Sequence, residues 1–374
     1  MRIAIAGPPN DIHVRRWGKA LRQAGAEVVF VWITPAPPDL EAYYCVGLPV
    51  DKPRFSDFFL RGRALRELLG RLKVRVAHPI HLTPSALWVW YSGFRPYIPF
   101  AMGADVLEYT SASAPVQRSW TLQSRSPTLM RLTAAWMRRR ILPSLLRRVL
   151  QESILSLGDN YEVCFSKKFF EKNKPYIEIP AGIEPQRRTG TGEIFLAPRG
   201  ATLLYQADVI LKGYERYLRS GGTRSLVLLS AGYPIHPAIL KQAERLEELY
   251  PEAFVLVRRL LSKPEIEALW QRTAAFISAP LYDGYSYAVA EGRSRGALPI
   301  VNAIPAHMEV LTHGYNAWFV EPFTAQNLAN ALFEVDALLQ GDPFWRLRNQ
   351  QWIDRFSNIE DNASLFLHLL RRIL

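Results

Sequence analysis

Short apolar runs rich in β-branched residues alternate with longer segments of helical period, and this alternation passes through the chain twice. Parallel strands cannot be joined by a tight hairpin. They need a crossover of about a dozen residues or more, which a helix supplies. The first series places strands at 2–6, 27–33, 73–78, 98–102, 153–157 and 176–179. Between the first two, residues 11–24 carry Ile12, Trp17, Ala20, Leu21 and Ala24 at helical spacing, and Gly25 ends the run. The second series places strands near 193–197, 225–230, 253–257, 274–278, 298–302 and 318–320, with helices near 206–219, 235–249, 263–271, 286–296 and 324–339. Each series reads as one doubly wound α/β domain.

The turn-rich stretch from Glu184 to Gly192 has no apolar period and sets the boundary near 183–193. The expected organisation is a Rossmann-like domain over 1–183, a second over 184–357, and a last helix at about 358–374 crossing back to the first. A chain of 374 residues is long enough for two cores. Ligands of open parallel sheets bind outside the carboxyl ends of the strands, so two such sheets facing each other are expected to form an interdomain cleft.

Charge narrows the class of partner. Lys and Arg number 46 against 34 acidic residues, a net charge of +12, and all but ten of the basic residues are Arg, the side chain suited to planar recognition of phosphate or carboxylate. Cys45 and Cys164, the two cysteines, cannot build a disulfide framework and read as small buried hydrophobes in a reducing compartment. The first apolar run, 3–6, is too short for a signal sequence, and no run reaches the roughly 18 apolar residues of a membrane span. A cytoplasmic protein, free or peripheral at the membrane face, is expected.

The stretch 279–304 carries the chemistry. A strand runs into a loop with Asp283-Gly284, Ser286 stands as an N-cap, a helix carries Glu291, and Gly296 ends that helix before the next strand. The backbone N–H groups at about 286–288 of such a helix are an anion site. Asp283 and Glu291 are eight residues apart, one before the helix and one inside it, so they can hold hydroxyls of two different parts of a ligand. His307 and Glu309 lie in the loop after strand 298–302.

These residues resemble the Glu-x(7)-Glu signature of retaining, family-4 type glycosyltransferases of GT-B fold, with Asp283 and Glu291 as the two acids. Residues 296–301 (Gly-Ala-Leu-Pro-Ile-Val), Glu309 and residues 314–317 (Gly-Tyr-Asn-Ala) continue the pattern. The resemblance implies that Asp283 contacts the donor sugar, that Glu291 holds the nucleotide ribose, and that the backbone of Gly284, Tyr285, Ser286, Tyr287 and Ala288 receives the diphosphate. Gly7 in Gly7-Pro8-Pro9 is similar to the family's first βα loop, which approaches donor phosphate and acceptor, and residues 179–184 are similar to its pre-linker segment. Asp105 and His13 join Asp283 as catalytic candidates, while Arg16 and His81 fall on the acceptor side.

Three departures stand out. Arg199 matches the family's phosphate-binding Arg, but its companion Lys is replaced by Tyr205, and only Lys212-Gly213 mimics the missing dipeptide. Met102 stands where many members carry a His, and a thioether can neither donate a hydrogen bond nor act as a base. The first acid is Asp, with a shorter reach than Glu. The resemblance implies transfer from a nucleoside-diphosphate sugar with retention, without a metal or other cofactor.

Residues 118–148 hold eight Arg and no acid, interleaved with Trp120, Trp136 and aliphatic residues. This suits a basic amphipathic helix on an anionic lipid surface and hence a lipid-linked or membrane-proximal acceptor. A helix packed on its own domain with a solvated Arg face reads equally from the pattern. No recognised nucleic-acid module is present, and a nucleic-acid partner is not expected. Two rival readings stay open: a GT-B sugar epimerase, or a non-catalytic membrane- or anion-binding protein on the same fold.

Overall fold

The computed structural model describes residues 1–101, 141–158, 176–187, 192–341 and 344–374. They form two compact units. One holds the described residues up to Gly182 together with the terminal helix from Asn358, and the other is Ile183–Ser357.

In the first unit the order is β1 (Arg2–Ala6), α1 (Ile12–Gln23), β2 (Glu27–Trp32), β3 (Tyr43–Cys45), α2 (Phe55–Leu60), α3 (Gly62–Arg71), β4 (Val76–Pro79), α4 (Leu87–Ser92), β5 (Phe100–Ala101), α5 (Leu142–Glu152), β6 (Ser156–Gly158) and β7 (Tyr176–Glu178). The strands make parallel sheets in the orders β3-β2-β1-β4 and β5-β6-β7. Parallel bridges at Ala77–Tyr97 and Ile80–Phe100 carry the ladder from β4 to β5. Gly18 lets α1 lie on the sheet, since a Cβ there would meet the Phe30 ring at 2.3 Å.

The second unit runs β8 (Ile194–Ala197), α6 (Ala207–Arg219), β9 (Leu226–Leu229), α7 (Pro237–Leu249), β10 (Phe254–Val257), α8 (Lys263–Arg272), β11 (Thr273–Ser278), α9 (Tyr287–Ser294), β12 (Leu298–Asn302), α10 (Pro305–Met308), β13 (Trp318–Val320), α11 (Ala325–Gly341) and α12 (Phe344–Phe356). Its six strands are parallel in the order β10-β9-β8-β11-β12-β13. Alternate residues of each strand feed opposite cores: Phe195 and Leu228 enter one, Leu196 and Val227 the other. Both faces of the sheet are covered, which is why these strands read as continuous apolar runs.

The terminal helix α13 (Ile359–Ile373) belongs to the first unit and packs on α1, with the Phe366 ring 5.9 Å from Trp17 and 4.7 Å from His78. Among the described residues no helix is long and apolar enough to cross a membrane. The described end of the basic stretch, α5, buries Leu146, Val149 and Leu150 in the first unit's core and exposes Arg147 and Arg148. Those aliphatic residues are therefore spent on the fold, so at this end of the stretch the packed-helix alternative holds. Residues 118–140 lie outside the described residues.

Candidate active site

The strand order of the second unit sets the carboxyl ends of β9, β8, β11 and β12 side by side, at intervals of roughly 5 Å. Each end delivers polar groups to the same edge. Beyond β8 comes Arg199, followed by Gly200, where a Cβ would stand 2.6 Å from the Tyr233 ring and 3.2 Å from the Ser230 carbonyl. Only glycine lets the β8 and β9 loops meet so closely. The β8 loop is also tied to the β11 loop, since Leu281 N–H donates to the Leu204 carbonyl at 2.8 Å and Gln206 Nε2 to the Ala279 carbonyl at 3.0 Å.

These ties bring Arg199 and Asp283 together. Arg199 Nη2 lies 3.1 Å from Asp283 Oδ2, and the guanidinium stands over the Tyr205 ring at 4.6 Å. Burial works against the charge on Arg199, but Asp283 and Tyr205 outweigh it and hold its pKa above the ordinary value. Tyr205, in the place of the expected Lys, thus supplies a stacking surface and a hydroxyl 3.3 Å from Arg199 Nη2.

Glu291 is half-buried on α9, whose N-cap is Ser286. Gly284 N–H donates to Asp283 Oδ1 at 3.0 Å, and Ala288 is half-buried one residue into the helix. The side chains of Tyr285 and Tyr287 pack against Ile183, Ala290 and Ile353, and Tyr285 shares a hydrogen bond with Ser357. What these two tyrosines offer a ligand is therefore main chain.

Lys212 sits elsewhere. It is exposed in the middle of α6, and its neighbour Gly213 is the point where α11 approaches, a Cβ there meeting Leu328 at 2.8 Å. The Gly213 half of the dipeptide serves helix packing, while Lys212 stands exposed on α6.

Several buried polar atoms along this edge have no hydrogen-bond partner among the described residues. They are Thr202 Oγ1, Ser230 Oγ, Ser278 Oγ, Ser286 Oγ, Asn302 Oδ1 and His307 Nε2, with Asp283 Oδ2 held by its ion pair alone. A buried polar atom left unmet costs about 1–3 kcal/mol, which makes such a cluster a candidate site for a polar ligand. Sequence reading passed over Ser230, Ser278 and Asn302, all at strand ends, where position on a parallel strand was the available signal.

The first unit has its own polar edge. Gly7 follows β1, and a Cβ there would collide with Val14 at 2.5 Å. Asp11, which sequence reading missed although its place before the first helical residue signals an N-cap, caps α1 by accepting from His13 N–H at 2.7 Å and Val14 N–H at 3.4 Å. Its second oxygen meets His81 Nε2 at 2.8 Å. Burial pushes the Asp11 carboxyl up, but His81 and His13 together outweigh it and bring the pKa down to about 2. His81 has φ of +70°, an unusual backbone state for a residue with a Cβ. His13 and Arg16 are half-buried on the first turns of α1. Asp105 and Met102 lie outside the described residues.

No protein-family model matches the chain, and no curated protein matches its sequence. Solved structures match over its whole length. A sucrose-phosphate synthase from Thermosynechococcus elongatus aligns with a TM-score of 0.75 at 16% identity, covering 100% of this chain and 99% of that one. A glycosyltransferase from Rickettsia africae ESF-5 aligns at 0.70 and 12%, covering 100% and 98%. An α,α-trehalose-phosphate synthase (UDP-forming) from Burkholderia xenovorans, in complex with glucose-6-phosphate, aligns at 0.67 and 12%, covering 100% and 99%. The chain has the GT-B fold, with two Rossmann-like domains.

Proposed function

We propose that this chain is a retaining glycosyltransferase that takes a sugar from a nucleoside-diphosphate donor bound in the second unit. The observation that carries the reading is the Arg199–Asp283 pair at 3.1 Å amid partnerless buried polar atoms along the carboxyl edge of a GT-B sheet. Arg199 and the first amides of α9 neutralise the leaving diphosphate, an electrostatic role that requires no metal. Asp283 engages the sugar and Glu291 the ribose. The acceptor oxygen bonds to the anomeric carbon on the face from which the diphosphate departs. The bond from that carbon to phosphate oxygen breaks, and the acceptor's proton passes to the departing phosphate. The three solved structures, two named as sugar-phosphate synthases and one as a glycosyltransferase, support this over an epimerase or a non-catalytic binder.

Thermal unfolding in the presence of UDP, GDP, dTDP and their sugars tests the donor site. At least one should raise the melting temperature by mass action on the native state, and Arg199→Ala or Glu291→Ala should abolish most of that rise. A rise with none of them, or one unchanged in both variants, overturns the reading.

The acceptor is read as lipid-linked or membrane-proximal from the basic stretch 118–148. The outward Arg147 and Arg148 of α5 support surface attraction rather than insertion. Co-sedimentation should be stronger with anionic than with neutral vesicles and fade with salt. Equal binding to both, or none, contradicts it.

A further inference from the structure

His307 takes no part in the proposed bond exchange, yet it is the fully buried imidazole at this edge, on α10. Its Nδ1 lies 2.9 Å from the Asn302 main-chain oxygen. A carbonyl oxygen only accepts, so Nδ1 carries the proton and Nε2 presents a lone pair. Burial lowers the imidazole pKa, the Asn302 carbonyl and Asp283 pull it back up and Arg199 lowers it, with a net fall that keeps the ring neutral. Nε2 is buried and has no hydrogen-bond partner among the described residues.

The neighbouring groups are of the same kind. Asn302 Nδ2 donates to the Pro280 carbonyl at 2.7 Å, which fixes the amide and leaves Oδ1 as an unmet acceptor. Asp283 Oδ2, in the loop that Pro280 opens, meets the Arg199 guanidinium at 3.1 Å and, among the described residues, no other donor. Three acceptors thus come from two adjacent parallel strands, β11 and β12, and their loops. An ionised phosphate has no O–H to give to these acceptors. A sugar ring offers several hydroxyl donors.

We infer that His307 Nε2, together with Asn302 Oδ1, accepts hydrogen bonds from hydroxyls of the transferred sugar and makes His307 a specificity residue for the donor. The inference rests on the donor-site reading above. The site then divides by chemistry: the diphosphate falls to Arg199 and the α9 amides, and the sugar to His307, Asn302 and Asp283.

The test separates nucleotide from sugar. The full chain and two variants are titrated calorimetrically with UDP, GDP and dTDP and with UDP-glucose, GDP-mannose and dTDP-glucose. The variant His307→Asn keeps a donor for the Asn302 carbonyl but removes the acceptor at the Nε2 position, while His307→Gln restores an acceptor there. For the nucleotide that binds, His307→Asn should raise the ratio of nucleotide-sugar Kd to nucleoside-diphosphate Kd roughly 10–100-fold, with His307→Gln recovering much of the loss. The unaltered chain should disfavour donors lacking one ring hydroxyl, by a similar factor for at least one position, which tests the idea without any variant. A ratio within twofold of the unaltered chain in His307→Asn, or no discrimination against any deoxy donor, overturns the inference and leaves the donor site standing. No binding of any diphosphate overturns the donor site and this inference with it.

Discussion

Two fully buried histidines, one in each unit, begin alike and end differently. His78 on β4 and His307 on α10 both direct Nδ1 to a main-chain oxygen, of Ile98 at 2.6 Å and of Asn302 at 2.9 Å. At His78 the other nitrogen accepts from Trp17 Nε1–H at 2.9 Å, and the ring lies against Phe366. At His307 the other nitrogen has no hydrogen-bond partner among the described residues. Both rings are kept neutral by burial, so the difference lies in completeness. A closed network holds a fold together, and an open one is paid for by a ligand.

That contrast can be broken by mutation. His78→Phe leaves the Trp17 N–H and the Ile98 carbonyl unmet inside the first unit, and should cost about 2–4 kcal/mol of stability in chemical denaturation. Nucleotide-stabilised melting shifts should survive it. A loss under about 0.5 kcal/mol would mean that the His78 network is not structural.

Acid sharpens the comparison at a smaller scale. The His78 pKa falls from 6.5 to about 4 in the fold, because burial outweighs the hydrogen bond to Ile98. The unfolded chain therefore binds the extra proton first. Its contribution is complete above about pH 6.5 and drains away as pH falls toward 4, by roughly 2 kcal/mol between pH 7 and pH 5. His307 adds a loss of the same sign. In His78→Phe the slope should flatten, and an unchanged slope would assign the acid sensitivity elsewhere. The smallest effect belongs to His307→Gln, which keeps size and acceptor and should shift stability by about 1 kcal/mol or less.

The sequence made the second unit largely readable. Its strands are doubly covered apolar runs, and Asp283, Ser286 and Glu291 sit in one contiguous stretch whose order follows the chain. What escaped had physical reasons. The strand Tyr43–Cys45 is three half-buried residues at a sheet edge, and α2, α3 and α12 were not anticipated from periodicity. Lys212 was attractive as a dipeptide with Gly213, but helix phase turns it outward while Gly213 faces Leu328. Asp11 and His81 are 70 residues apart and meet only through the β1–β4 pairing. His307 could be noted, but its significance is an unfilled nitrogen, which exists only once the chain is folded.

On the proposed function, the donor binds at the unmet polar atoms along the carboxyl edge of the second unit's sheet. Hydrogen exchange of the full chain with and without saturating nucleoside diphosphate measures this directly. Exchange should slow over 198–206 and 281–291, with no comparable change at the Asp11–His81 edge of the first unit, and the protection should be lost in Arg199→Ala. Protection confined to the first unit, or absent from both loops while the nucleotide is bound, would contradict it.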